Sequence, residues 1–265
     1  VERSRLEFLH GLITKTGDDL VSDVKSALEF IGFNQVVDVD ATEIDCVNKQ
    51  EDLQILDRST KVLVEVKGLG GLPREANTLQ VIKFILRRTR TRIWPGEPKI
   101  PHGVTLVNHQ RGIPPLERDH KNVFTEAQIA DSIDNGTGLM TTWDLFRLIR
   151  GMQQWQWETR HVQDVFYEKG RIGDRPSHYH RIGSLAHYYD GKRVASVLIE
   201  QGETLRLGDT VGYIFPDRFH QETITSLQVD RSAVQEAHAG QKGAYVTSLL
   251  RSDLPEGTIV FLVEG

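Results

Sequence analysis

From Asp19 to Ile31 the apolar residues Leu20, Val24, Ala27, Leu28 and Ile31 recur at helical spacing, which predicts a helix capped by Asp18 or Asp19 and stopped at Gly32. Three short β-type runs follow, Gln35 to Val39, Asp52 to Leu56 and Lys61 to Val66. The polar turn Asp57-Arg58-Ser59-Thr60 joins the last two into a hairpin or meander. A helix is predicted from about Pro73 to Arg88, then a buried strand from Val104 to Asn108. Further along come a helix over Thr125 to Asp134, a short strand over Gly138 to Thr142 and a helix over Trp143 to Trp157. This alternation makes the first part of the chain an α/β domain with a mixed sheet.

The pattern changes at about residue 170. After the polar stretch Glu168 to Arg175, every apolar run is short, β-branched and bounded by Gly, Asp or Pro: Val194 to Ile199, Thr210 to Ile214, Glu222 to Leu227, Ala244 to Val246 and Thr258 to Val263. That reads as an all-β unit, a barrel of about six strands. The expected division is residues 1–172 and 173–265.

Length and composition narrow the classes. A chain of 265 residues with 38% hydrophobic and 26% charged residues can bury one large core or two ordinary ones, which excludes a disordered or fibrous protein. No apolar run approaches the roughly 18 to 20 residues of a membrane span, and VERSRLEFLH is too charged for a secretory signal. No membrane partner is expected. Cys46 is the single cysteine, which excludes an internal disulfide and zinc-cluster architectures and fits a reducing cytoplasm. The chain opens at Val1, which leaves open a processed protein or a fragment with an upstream domain missing.

The net charge of −5 gives no global attraction to nucleic acid, so such a partner has to be held by a local patch. One exists between Arg74 and Arg92, where Arg74, Lys83, Arg87, Arg88, Arg90 and Arg92 face a single acid, Glu75. A solvated helix face with a basic C-terminal end is the other reading of that run.

The strongest chemical signal is Asp52 followed by Glu65-Val66-Lys67-Gly68. Positions two apart on a strand share a face, so Glu65 and Lys67 project together, and Asp52 on the adjacent strand can converge on Glu65. Two carboxylates with the Val66 carbonyl form a hard oxygen site suited to Mg²⁺ or Mn²⁺. Lys67 beside such a site can orient a water nucleophile and steady charge on a phosphate. Cross-strand charge pairing would produce the same spacing. The element order around the segment, helix, three strands, helix, strand, resembles the PD-(D/E)XK restriction-endonuclease-like superfamily over about Leu20 to Val107. The most specific part is DLQILDRSTKVLVEVKG, Asp52 to Gly68.

The resemblance implies a metal-dependent phosphodiester hydrolase, an endonuclease or exonuclease with DNA the favoured substrate and RNA the other. Asp52 and Glu65 match its metal-binding acids and Lys67 its catalytic lysine. On the second helix Gln80 and Lys83 stand where some members carry a further polar group, with Arg87 one turn later, and Arg87, Arg88 and Arg90 would grip the nucleic-acid backbone. One departure is visible: many members carry a glutamate on the first helix where this chain has Val21. Glu29, on the same helix, is expected to form a solvated pair with Lys25. A catalytically inactive module that uses this fold and the second domain to bind nucleic acid or a protein is therefore the alternative.

Other candidates are weaker. His178, His180 and His187 lack a Cys or acid partner at ligand spacing. Trp143, Trp155 and Trp157 fit an interface better than base stacking. Residues 181 to 263 look like the β-barrel domain II of translation GTPases such as elongation factor Tu, and like the related barrel of certain collagenase-type peptidases. Ile182-Gly183, Tyr188-Tyr189, Val194-Ala195, Leu207-Gly208-Asp209, Ser226-Leu227 and Ala237 with Gly240 and Gly243 carry that resemblance. Residues 176–265 hold 8 Lys and Arg against 11 Asp and Glu, which disfavours phosphate binding and suits a docking or positioning module, with a protein partner through the barrel.

Overall fold

The computed structural model describes residues 6–42, 50–91, 100–215 and 218–264; Cys46, Arg92 and Val1 lie outside these. Two compact units divide the chain, Val1–Pro176 and Ser177–Gly265. Among the described residues no helix is long and apolar enough to cross a membrane.

In the first unit the elements are α1 (Glu7–Thr14), α2 (Gly17–Ile31), β1 (Val36–Asp38), α3 (Val39–Thr42), β2 (Leu53–Ile55), β3 (Val62–Gly68), α4 (Glu75–Thr78), α5 (Gln80–Thr91), β4 (His102–Asn108), α6 (Glu126–Asp134), β5 (Thr137–Thr141), α7 (Thr142–Trp155), α8 (Thr159–Asp164) and β6 (Gly170–Arg171). The sheet runs in the order β1-β2-β3-β4-β5-β6. Its first three strands form an antiparallel meander. From β3 onward the pairs are parallel, each crossing over through a helix. Strand β4 is buried along its whole length, as a parallel strand covered on both faces must be.

Helix α2 forms as the stripe predicts, with Leu20, Val24, Ala27, Leu28 and Ile31 wholly buried. It ends at Gly32, whose φ of 102° is a left-handed conformation open to glycine, with Phe33 N–H returning to the Leu28 carbonyl. Its start differs from expectation: Thr16 is at the cap position, while Asp18 and Asp19 sit in the first turn, where carboxylates oppose the exposed helix amides. Lys25 and Glu29 form the expected exposed pair at 3.9 Å. The helix predicted from Pro73 is divided at Leu79 into α4 and α5. Helix α1 was not anticipated from the sequence pattern.

The second unit holds β7 (Tyr179–Tyr189), β8 (Val194–Ile199), β9 (Thr204–Arg206), β10 (Thr210–Ile214), β11 (Phe219–Thr223), β12 (Gln228–Val229), β13 (Ser232–Ala233), β14 (Glu236–His238), β15 (Lys242–Val246) and β16 (Ile259–Val263). Among the described residues no closed barrel is seen, so the expected barrel of about six strands is not confirmed. The described residues form an antiparallel sheet of eight strands, ordered β11-β10-β16-β7-β8-β15-β12-β13, with β14 and β9 paired separately. The longest strand, β7, lacked a strand signal because its buried residues, Tyr179, Ile182, Gly183, Leu185 and Tyr188, do not alternate: its pairing with β16 shifts at Ile182 and its pairing with β8 shifts between Leu185 and His187. The run Glu222 to Leu227 is strand only to Thr223, although Ile224 and Leu227 still reach the core.

Gly68, directly after Lys67, lets the start of α2 lie against β3: a Cβ there would stand 2.3 Å from Thr16 Oγ1 and 3.0 Å from Thr16 Cα. Gly68→Ala is expected to destabilise the first unit by about 1–3 kcal/mol. The measurement is the urea midpoint of that unit's transition, and an unchanged midpoint would show that the helix start yields freely.

Candidate active site

Strand β2 pairs with β3 from Leu53 opposite Val64 to Ile55 opposite Val62. Continuing this register by one residue sets Asp52 opposite Glu65. The backbone ladder has stopped there, and the Asp52 side chain takes over: its Oδ2 accepts the Val66 N–H at 2.7 Å. The N–H and C=O of one strand residue point toward the same neighbour, so the Val66 carbonyl also faces the Asp52 side. The Asp52 carbonyl in turn accepts the Val39 N–H at 3.1 Å, which ties the acid to the end of β1.

Glu65 is wholly buried and Lys67 is half-buried. Lys67 Nζ donates to Glu65 Oε1. Both share a face with Leu63, which packs against Val81, Phe84 and Ile85 of α5. The structure thus brings Asp52, Glu65, Val66 and Lys67 together at the carboxyl end of β3. Asp52 also lines a cleft of about 240 Å³ with Asp18, Val21, Asp38, Asp40 and Ala41. Val21, where many members of the resembling family carry a glutamate, therefore lines the same cleft as Asp52. Among the described residues no group of three or more His, Cys, Asp or Glu is arranged to hold a metal ion.

Helix α5 divides the predicted backbone contacts. Lys83 and Arg90 are exposed, Gln80 and Arg87 half-buried, and the Arg87 guanidinium lies 5.9 Å from the Phe84 ring centroid. Arg88 departs from expectation. It is 1% exposed, and its Nε donates to Glu51 Oε1 at 2.8 Å, so it is not placed to grip a phosphate backbone. The signal was present in the spacing: Val81, Phe84, Ile85 and Arg88 lie on one helical stripe, and that stripe faces the sheet.

Sequence reasoning also missed a buried polar cluster after β4. Arg118 donates to Asn108 Oδ1 at 2.9 Å and to the carbonyls of Ile13 and Ile113, each at 2.8 Å. Asn108 Nδ2 reaches the Lys15 carbonyl at 2.9 Å. His109 is 1% exposed and meets His120 edge to face, with ring centroids 5.3 Å apart. His120 stacks on Trp143, and its Nε2 donates to the Pro115 carbonyl at 2.6 Å. The only local hint was a histidine directly after an apolar strand. Trp157 is buried and packs over Gly151 within the first unit. His180 and His187 pair separately with Glu203 and Glu256, and His178 is buried beside Tyr179.

No protein-family model and no curated protein matches the chain. Among solved structures, the restriction endonuclease FokI is similar at 13% identity and a TM-score of 0.43, over 65% of this chain and 31% of that one. The C-terminal domain of a U32 peptidase from Geobacillus thermoleovorans is similar at 16% identity and a TM-score of 0.28, over 31% of this chain and 91% of that one. The translation elongation factor SelB from Methanococcus maripaludis follows at 12% identity and 0.27, over 76% and 41%. All three likenesses are weak. Fold and site define a mixed α/β unit carrying an acid, an acid-x-lysine and a basic helix, followed by an antiparallel β unit.

Burial, followed by the neighbouring His120 and Arg118, pushes the His109 imidazole down from 6.5 to about 4, with Asp144 opposing. Burial also lowers His120. Between about pH 6.5 and about pH 4 the unfolded chain takes up a proton at His109 that the folded chain refuses, so stability falls as the pH drops through that window. The loss is at most about 3 kcal/mol. His109→Gln is expected to flatten the dependence, measured as urea midpoints at pH 7 and pH 5. A variant with the wild-type pH slope would assign the effect elsewhere.

Proposed function

We propose that the first unit is a metal-dependent nuclease that hydrolyses phosphodiester bonds, with DNA the favoured substrate. The observation that carries this reading is the clustering at the end of β3: Asp52 bound to the amide that follows Glu65, and Lys67 bound to Glu65 itself. The residues fit a hard cation, since Asp52, Glu65 and the Val66 carbonyl offer oxygen donors where β2 has ended. Mg²⁺ or Mn²⁺ held there would supply Lewis-acid polarisation of a phosphate and an activated water. With fewer than three acids arranged as ligands among the described residues, the remaining positions fall to water and to substrate oxygen.

Asp52 and Glu65 bind and orient. Glu65 also keeps Lys67 beside the reacting phosphate, where the ammonium holds a proton and offsets charge that develops on the oxygens. Lys83, Arg87 and Arg90 on α5, with Gln80 at its start, contact the nucleic-acid backbone electrostatically. The second unit serves as a docking or positioning module, by the charge balance of its sequence.

Val21, lining the cleft that Asp52 also lines, favours a second reading, binding without cleavage. The two separate in an assay of Mg²⁺- and Mn²⁺-dependent cutting of labelled single- and double-stranded DNA and RNA. The nuclease reading expects cleavage, reduced at least about 100-fold in Lys67→Ala with nucleic-acid binding retained. Binding by the wild type with no cleavage in either metal would leave the second reading standing.

A further inference from the structure

The inward stripe of α5 ends unusually. Val81, Phe84 and Ile85 pack on Leu63, yet the next position on the stripe is Arg88, whose side chain is fully enclosed. Its partner Glu51 is fully enclosed as well, and Gln54 Nε2 donates to the same Glu51 oxygen at 2.6 Å. Glu51 directly precedes Asp52. The short segment entering β2 is thus held by Arg88 and Gln54 on Glu51, by the Val39 amide on the Asp52 carbonyl, and by the Val66 amide on the Asp52 carboxylate.

Stability alone does not account for this pair. Taking both charges out of water costs more than a packed apolar pair would, and replacing a buried ion pair with apolar side chains is often neutral or stabilising. Glu51 Oε2 adds to the cost: it is buried and finds no hydrogen-bond partner among the described residues. What charged groups supply and apolar ones do not is direction, because the planar guanidinium fixes the carboxylate it binds.

We propose that Glu51 and Arg88 form a positioning pair for Asp52. The pair sets the peptide from which the Asp52 carboxylate projects. It also ties that peptide to α5, whose outer face carries Lys83, Arg87 and Arg90. Neither member touches substrate. The role rests on the metal-dependent nuclease reading given above, and it makes Arg88 a support for the metal-holding acid rather than a contact to phosphate.

A triple variant of the full chain, Glu51→Met with Gln54→Leu and Arg88→Met, removes both charges of the Glu51–Arg88 pair and the Gln54 bond to Glu51 together. Its melting temperature is expected to stay within about 5 °C of wild type. Mn²⁺ binding, followed by loss of the free-ion electron paramagnetic resonance signal, is expected to weaken about 10- to 100-fold, as when groups behind metal ligands are removed. The Mn²⁺ concentration for half-maximal cleavage should rise in parallel. Asp52→Asn is the reference for a lost ligand. A triple variant that melts normally and binds Mn²⁺ as wild type does overturns the positioning role and leaves the nuclease reading intact. A wild-type chain that binds no Mn²⁺ overturns both. Should the triple variant not fold, Arg88→Lys decides in its place. It keeps the charge balanced and loses the planar fork, so weaker Mn²⁺ binding is expected and unchanged binding overturns the role.

Discussion

Strand β3 is bonded on one edge to an antiparallel neighbour that stops at Leu53 and on the other to a parallel strand whose register continues to Asn108. Among the described residues the antiparallel ladder does not extend along the last residues of β3, and the Asp52 carboxylate fills part of that edge through the Val66 amide. A buried amide has to be satisfied, and here it is satisfied by a side chain. The rest of the candidate site follows. Asp52 is held beside Glu65, the Val66 carbonyl turns to the same side, and Lys67 comes to rest on Glu65. Gly68 then allows Thr16 to approach, so that α2 can begin beside the site.

The surrounding polar groups are arranged in two supports of different kinds. Glu51, Gln54 and Arg88 make a dry network behind the strand that carries Asp52. Arg118, Asn108, His109 and His120 make another after β4, joined to the end of α1 by backbone carbonyls. The first keeps a charge pair enclosed; the second keeps an imidazole neutral by burial beside a guanidinium. Both fasten a loop or strand end that apolar packing alone would leave free to slide, because hydrogen bonds are directional and the hydrophobic effect is not.

The second unit shows how far fold and function separate. Its sheet is built from strands whose inward residues, among them Ile182, Leu185, Val197, Tyr213 and Tyr245, form one core. Tyr213 and Tyr245 meet hydroxyl to hydroxyl inside it, and burial raises both phenols. Nothing in this core implies a reaction, and an antiparallel sheet of this kind can serve many purposes.

The periodic features of the sequence were sufficient for the main helices and strands of the first unit from α2 to α7 and for the acid-x-lysine on β3, because helical stripes and strand alternation are local properties of a few consecutive residues. They also separated an α/β half from an all-β half. They failed where local pattern was broken or too short: β7 with its bulge, α1, and the pairing that leaves the second sheet open in strand order. They assigned Arg88 to the surface because charge was weighed above spacing, although its place on the Val81 stripe pointed inward. Only the tertiary structure decided that Asp52 reaches an amide 14 residues away and that Arg88 meets a glutamate 37 residues away. Those contacts depend on which elements become neighbours, and a residue's own surroundings in sequence contain no such information.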